Sequence, residues 1–106
     1  MTDRELLEAA AKAAGIVGNY VEDHDGGYYY QGEPNGLLIV HSDGQTQVWN
    51  PLTDDGDALR LAVTLCLLHS PRVAHEIAVE RFTKNSDKLT ATRRAIVRAA
   101  AAMAVG

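Results

Sequence analysis

Side chains able to do chemistry are few in this chain, and they fall into three groups. Asp54, Asp55 and Asp57 stand close together; grouped carboxylates can ligate a cation or, with a histidine, transfer protons in a small enzyme acting on nucleotides or peptides. Tyr20, Tyr28, Tyr29 and Tyr30 crowd one glycine-flanked region, where aromatic rings can stack on a base or another flat ligand. Arg93, Arg94 and Arg98, with Lys88 and Arg60 as further cations, offer planar donors to phosphate or carboxylate. Each group also has a plain structural reading. Three acids at a helix start cap it and complement its dipole, consecutive tyrosines are ordinary strand residues, and spaced arginines form a solvated helix face. For all three groups the plain reading is the stronger.

Sharper catalytic signatures are missing. The four histidines, His24, His41, His69 and His75, follow no zinc-ligand spacing and have one cysteine to help them. Neither a nucleophile elbow, a phosphate loop nor a dinucleotide fingerprint is present. No metal and no cofactor is therefore expected. The lone Cys66 lies within the apolar run from Leu59 to Leu68 and reads as a small hydrophobe in the core, with no need for an oxidising compartment.

The elements that must position these groups belong to one domain spanning 1–106, since 106 residues support one modest core. Apolar residues make up 46% and charged residues 23%, which excludes a disordered tail. No apolar run is long enough for a membrane span and no signal peptide is visible. A cytoplasmic location follows as the expectation. The net charge of −4 argues only weakly against general nucleic-acid binding, and a nucleic-acid-binding protein using the C-terminal arginines stays open as an alternative. The total conceals an asymmetry: residues 1–57 hold eleven acids against Arg4 and Lys12, a net of −9, and the remainder holds three acids against eight bases, a net of +5. Solvated faces account for that, but a basic surface for an anionic ligand, or attraction between opposite halves of two protomers, would use it.

Leu6, Leu7, Ala10, Ala13 and Ala14 recur at helical spacing and predict an amphipathic helix over Asp3–Ala14, capped by Thr2 or Asp3 and stopped by Gly15. From Ile16 to Leu52 the composition turns to strands and turns. Gly36–His41 and Gln45–Trp49 flank an Asp-Gly turn and predict an antiparallel hairpin, with Leu38 and Val40 on one face and Leu37 and Ile39 on the other. Thr53–His69 predicts a helix so apolar, with Leu59, Ala62, Val63, Cys66 and Leu67 on one stripe and Leu61, Leu65 and Leu68 beside it, that it should be deeply inserted or shared with a partner chain. Alternation from Val73 to Thr83 predicts a strand; the competing assignment is a helix capped by Ser70 with Pro71 at its first position. A last helix runs from Lys88 or Thr90 to Ala104, with Leu89, Ile96, Ala100 and Met103 inward and Arg94 and Arg98 on one outward face.

The block Trp49-Asn50-Pro51-Leu52-Thr53-Asp54-Asp55-Gly56-Asp57-Ala58-Leu59-Arg60-Leu61-Ala62-Val63, with the closing Ala91-Thr92-Arg93-Arg94-Ala95-Ile96-Val97-Arg98-Ala99-Ala100, resembles small phage and prophage proteins carrying the phage ABA sandwich domain, over nearly the whole chain. The resemblance implies an α+β fold of order α-β-β-α-β-α, with a small antiparallel sheet sandwiched between helices, and implies no catalytic residues. By analogy it suggests an accessory binding protein in the host cytoplasm, homo-oligomeric, whose ligand is a host protein or an anionic small molecule such as a nucleotide. The candidate ligand surface combines Tyr28, Tyr29 and Tyr30 with Arg94 and Arg98.

Overall fold

A computed structural model describes residues 1–21 and 35–105. Its elements are α1 (Asp3–Ala14), β1 (Asn19–Val21), β2 (Gly36–Val40), β3 (Thr46–Trp49), α2 (Asp55–Thr64), α3 (Pro71–Lys84) and α4 (Lys88–Val105). The class is α+β, as expected. The order is α-β-β-β-α-α-α, so one strand is gained before β2 and the strand anticipated over Val73–Thr83 is a helix.

Sequence chemistry accounts for the first half. Thr2 caps α1 through a reciprocal box: its hydroxyl accepts from the Glu5 backbone N–H, and the Glu5 carboxylate accepts from the Thr2 N–H. Gly15, at φ 75, ends the helix in the left-handed region, and the Ile16 N–H reaches back to the Ala11 carbonyl at 2.9 Å. The sheet is antiparallel in the order β1-β2-β3. The hairpin turns through Gly44, at φ 87, with the His41 N–H donating to the Gln45 carbonyl at 2.8 Å. Tyr20, Leu37 and Trp49 lie side by side in register, as do Ile39 and Gln47; this face packs on the helical core. The opposite face carries Leu38, Val40 and Val48. At Gly36, φ 148, a Cβ would stand 2.6 Å from the Trp49 carbonyl oxygen, so the strand entrance has room only for glycine.

The middle helix is shorter and wetter than its composition predicts. Asp54 caps α2 by accepting from the Asp57 N–H at 2.7 Å. The helix stops at Thr64, because the Cys66 N–H bonds to the Val63 carbonyl and the Leu67 N–H to the Ala62 carbonyl, the paired back-bonds of a Schellman terminus. Ala58, Leu61 and Ala62 are buried, whereas Leu59 and Val63 are each 56% exposed and Leu68 is 58% exposed. The expectation of a helix kept from water all round is thus corrected: α2 buries one stripe only. Cys66 is corrected with it. It lies past the helix end, exposed, in the left-handed conformation at φ 58, instead of inside the core.

Ser70 caps α3 by accepting from the Arg72 N–H, and Pro71 occupies the first turn. Its buried seam runs through Val73, half-buried Ile77 and Glu80, the i, i+4, i+7 spacing of a helix. A glutamate in that seam disguises the helical period as alternation. In α4, Ala91, Ala95, Ile96, Val97, Ala99, Ala100 and Ala101 are buried, and the helix packs against α1, α2 and α3. Leu89 and Met103, expected inward, are exposed; alanines make the contacts in their place. Asp87 opens α4 by accepting from the Thr90 N–H at 2.9 Å.

Two outcomes follow. Cys66→Gly relieves the left-handed strain at the end of α2 and raises stability by about 1 kcal/mol, read as an increased thermal midpoint; an unchanged or lowered midpoint contradicts that terminus. Hydrogen bonds from Thr90 hold the Asp87 carboxyl below its ordinary pKa, and those from Thr2 do the same for Glu5. A depressed folded value means that these caps stabilise the protein above the ordinary carboxylate range and lose that contribution as the pH falls through the lowered values. Asp87→Asn keeps a capping side chain without titration, so its stability falls less steeply on acidification; a slope equal to the parent's contradicts the assignment.

Candidate functional site

Arg94 and Arg98 point into the protein, on to one carboxylate. Glu80 of α3 is 1% exposed. Its Oε1 accepts from Arg98 Nε at 2.7 Å and Lys84 Nζ at 3.5 Å, with Arg94 Nε at 3.7 Å. Arg94 also donates through Nη2 to Asp3 at 3.1 Å, tying the start of α1 to the same cluster. The outward solvated face expected for Arg94 and Arg98 is therefore corrected: an anion of the protein's own chain occupies them. Glu80 Oε2 is buried without a hydrogen-bond partner among the described residues. The sequence reading did not single out Glu80. A carboxylate on the 73, 77, 80 seam with Lys84 one turn later is the signal that would have revealed it, once α3 is taken as a helix.

The acidic group Asp54, Asp55 and Asp57 is likewise committed to structure. Asp57, 4% exposed, accepts from the Asn50 backbone N–H at 2.9 Å and from Arg60 Nη2 at 2.6 Å. Asp54 serves as the cap. Asp55 accepts from Arg93 Nη1 at 2.7 Å, while Arg93 Nε donates to the Leu52 carbonyl at 2.9 Å. Buried Asn50 completes the arrangement, accepting from the Leu52 N–H through Oδ1 and donating through Nδ2 to the Asn35 carbonyl, both at 2.9 Å. The whole turn from Trp49 to Arg60 is thus a hydrogen-bonded strand-to-helix connection fastened to α4. Among the described residues no group of three histidine, cysteine, aspartate or glutamate side chains is placed to hold a metal ion.

Tyr28, Tyr29 and Tyr30, and with them His24, lie outside the described residues, so their juxtaposition with the arginines is not on view. Tyr20 sits on β1 with the Arg4 guanidinium 5.3 Å from its ring centre, a cation–π pair. His41 shares a 2.8 Å hydrogen bond with Gln47, and His69 and His75 are exposed. No described helix is long and apolar enough to cross a membrane.

Two cavities flank the linker after α1. One, of about 450 Å³, is lined by Glu8, Ala11, Lys12, Ile16, Val17 and Leu37, among others. The other, of about 280 Å³, lies between Ile39, Gln47 and Trp49 of the sheet and Arg60, Leu61 and Thr64 of α2. Apolar side chains also stand free on the surface. Leu59 and Val63 form a row one turn apart on α2, and Phe82 on α3 is 89% exposed. Arrangements able to polarise a bond or hold a nucleophile next to a base are not formed by the described residues; what they present is apolar surface and shallow hollows.

No protein-family model, no curated protein and no solved structure matches this chain.

Glu80→Gln retains shape and removes the charge on which Lys84, Arg94 and Arg98 converge. Because those cations are partly solvated and can rehydrate, the cost is about 1–3 kcal/mol, measured by denaturant unfolding. A change under about 0.5 kcal/mol, the range of an ordinary surface substitution, would show that the cluster does not hold α3 on α4.

Proposed function

We propose that the protein is a non-catalytic accessory binding protein that docks on a protein of its host cell, the phage or prophage setting being what the sequence resemblance implies. The observation that carries this reading is the outer face of α2, where Leu59 and Val63 stand one helical turn apart, each 56% exposed, on an element whose other face is in the core. An apolar row presented on a rigid helix is a protein-recognition surface. The fates of the other candidates favour it too. Arg94 and Arg98 already hold Glu80 and Asp3, which disfavours capture of an anionic small molecule through them, and Asp54, Asp55 and Asp57 hold the turn before α2, which disfavours their use in an enzyme.

A second reading retains one supporting observation. Lys84, Arg94 and Arg98 converge on the single Glu80 carboxylate, and the donors left over could receive a nucleotide phosphate. Native mass spectrometry of tagged protein recovered from host cells separates the two. Docking predicts a host protein retained at fixed stoichiometry by the parent chain and lost from the folded Leu59→Glu, Val63→Glu variant. A retained nucleotide with no protein partner, or a partner held equally by the variant, contradicts the docking reading.

A further inference from the structure

A buried tryptophan ordinarily finds a partner for its indole N–H. Trp49, the one tryptophan of the chain, is 4% exposed, yet its indole N–H has no hydrogen-bond partner among the described residues. The polar side-chain atom that is fully enclosed without a partner among those residues is Glu80 Oε2, so the indole nitrogen reaches open space. Trp49 lines the cavity of about 280 Å³ between the sheet and α2, whose apolar wall includes Ile16, Ile39 and Leu61. An apolar cavity of about 150 Å³ is enough to hold benzene. This one therefore has room for a small ring with a substituent.

The polar groups at this cavity define the rest of the ligand. Gln47 lines it too, and its Oε1 is taken by His41 Nε2 at 2.8 Å, which leaves its amide N–H pair to donate. Of the lining residues none is acidic. Arg60 lines the cavity but does not call for an anion, because its Nη2 donates to Asp57 at 2.6 Å and stands 3.9 Å from Asp54. A negative charge placed here would meet those same carboxylates. The unspent capacity is that of neutral donors, and an uncharged acceptor is what matches them. We propose that this cavity binds a small uncharged molecule, apolar over most of its surface and carrying a carbonyl oxygen that accepts from the Trp49 indole or the Gln47 amide. The site uses neither residue of the Leu59 and Val63 row, and either proposal can fail without the other.

A single tryptophan gives a single indole N–H resonance, which makes the ¹⁵N-labelled full chain its own reporter in solution NMR. Acetophenone is the probe, with ethylbenzene, of similar shape but lacking the carbonyl, and benzoate, which carries a charge, as comparisons. Acetophenone should move the indole proton downfield along a saturable curve. It should bind about fivefold more tightly than ethylbenzene, the worth of one hydrogen bond, and more tightly than benzoate. Thr64 lines the cavity at the exposed end of α2, so Thr64→Phe should block it and abolish the saturable shift, with the other amide resonances of the variant reporting that it is folded. A shift that stays linear with acetophenone overturns the proposal. So does equal affinity for ethylbenzene, tighter binding of benzoate, or saturation that survives in Thr64→Phe. The comparison of the three probes needs no variant and decides the outcome even if Thr64→Phe does not fold.

Discussion

Close approach to the alanine surface of α4 is the constraint on which the rest of the structure depends. Ala91, Ala95, Ala99, Ala100 and Ala101 are buried, and with side chains this small, three helices can pack on one axis. Small side chains bury little area each, so such a core gains less from the hydrophobic effect than a leucine-filled one would. Polar fastenings supplement it at the periphery of α4. Arg93 binds the turn before α2, Arg94 binds the start of α1, and Arg98 binds Glu80 of α3. Every helix that packs on α4 is thereby pinned to it by an arginine at successive positions along its length.

That division of labour explains why groups that look chemical in the sequence are structural in the protein. Arginines 93, 94 and 98 read as an anion-binding surface until their partners are known. Each partner lies at long range in the chain, at Asp55, Asp3 and Glu80, where no local pattern announces it. The three aspartates at the start of α2 were legible as cap and dipole residues, and Asp54 fulfils the capping role. The burial of Asp57 on the Asn50 amide was not legible, because it depends on a turn whose shape is set by Asn50 itself. With these charged groups so engaged, the described residues leave apolar side chains exposed on the outer face of α2 and at Phe82, and a hollow beside α1.

Local rules carried the fold as far as local chemistry decided it. The start and end of α1, the hairpin about Gly44 and the onset of α2 follow from capping residues and turn glycines that act within a few positions. Failures occurred where a distant partner or a helix end altered the pattern. Glu80 occupies a seam position that a helix would ordinarily give to an apolar residue, and so α3 read as an alternating strand despite the Ser70-Pro71 start. Schellman closure at Cys66 ended α2 a turn early and left Leu68 and the thiol outside. In α4, leucine and methionine drew attention inward, while alanine was the residue that close packing required.

Native-state hydrogen exchange followed residue by residue tests this account most directly. Amides from Ala95 to Ala101 should exchange only through global unfolding, with α1 and α3 opening at equal or lower free energy. Exchange of those α4 amides at the early rate of the short strand β1, while α1 or α3 stays protected, would contradict a structure assembled around that helix.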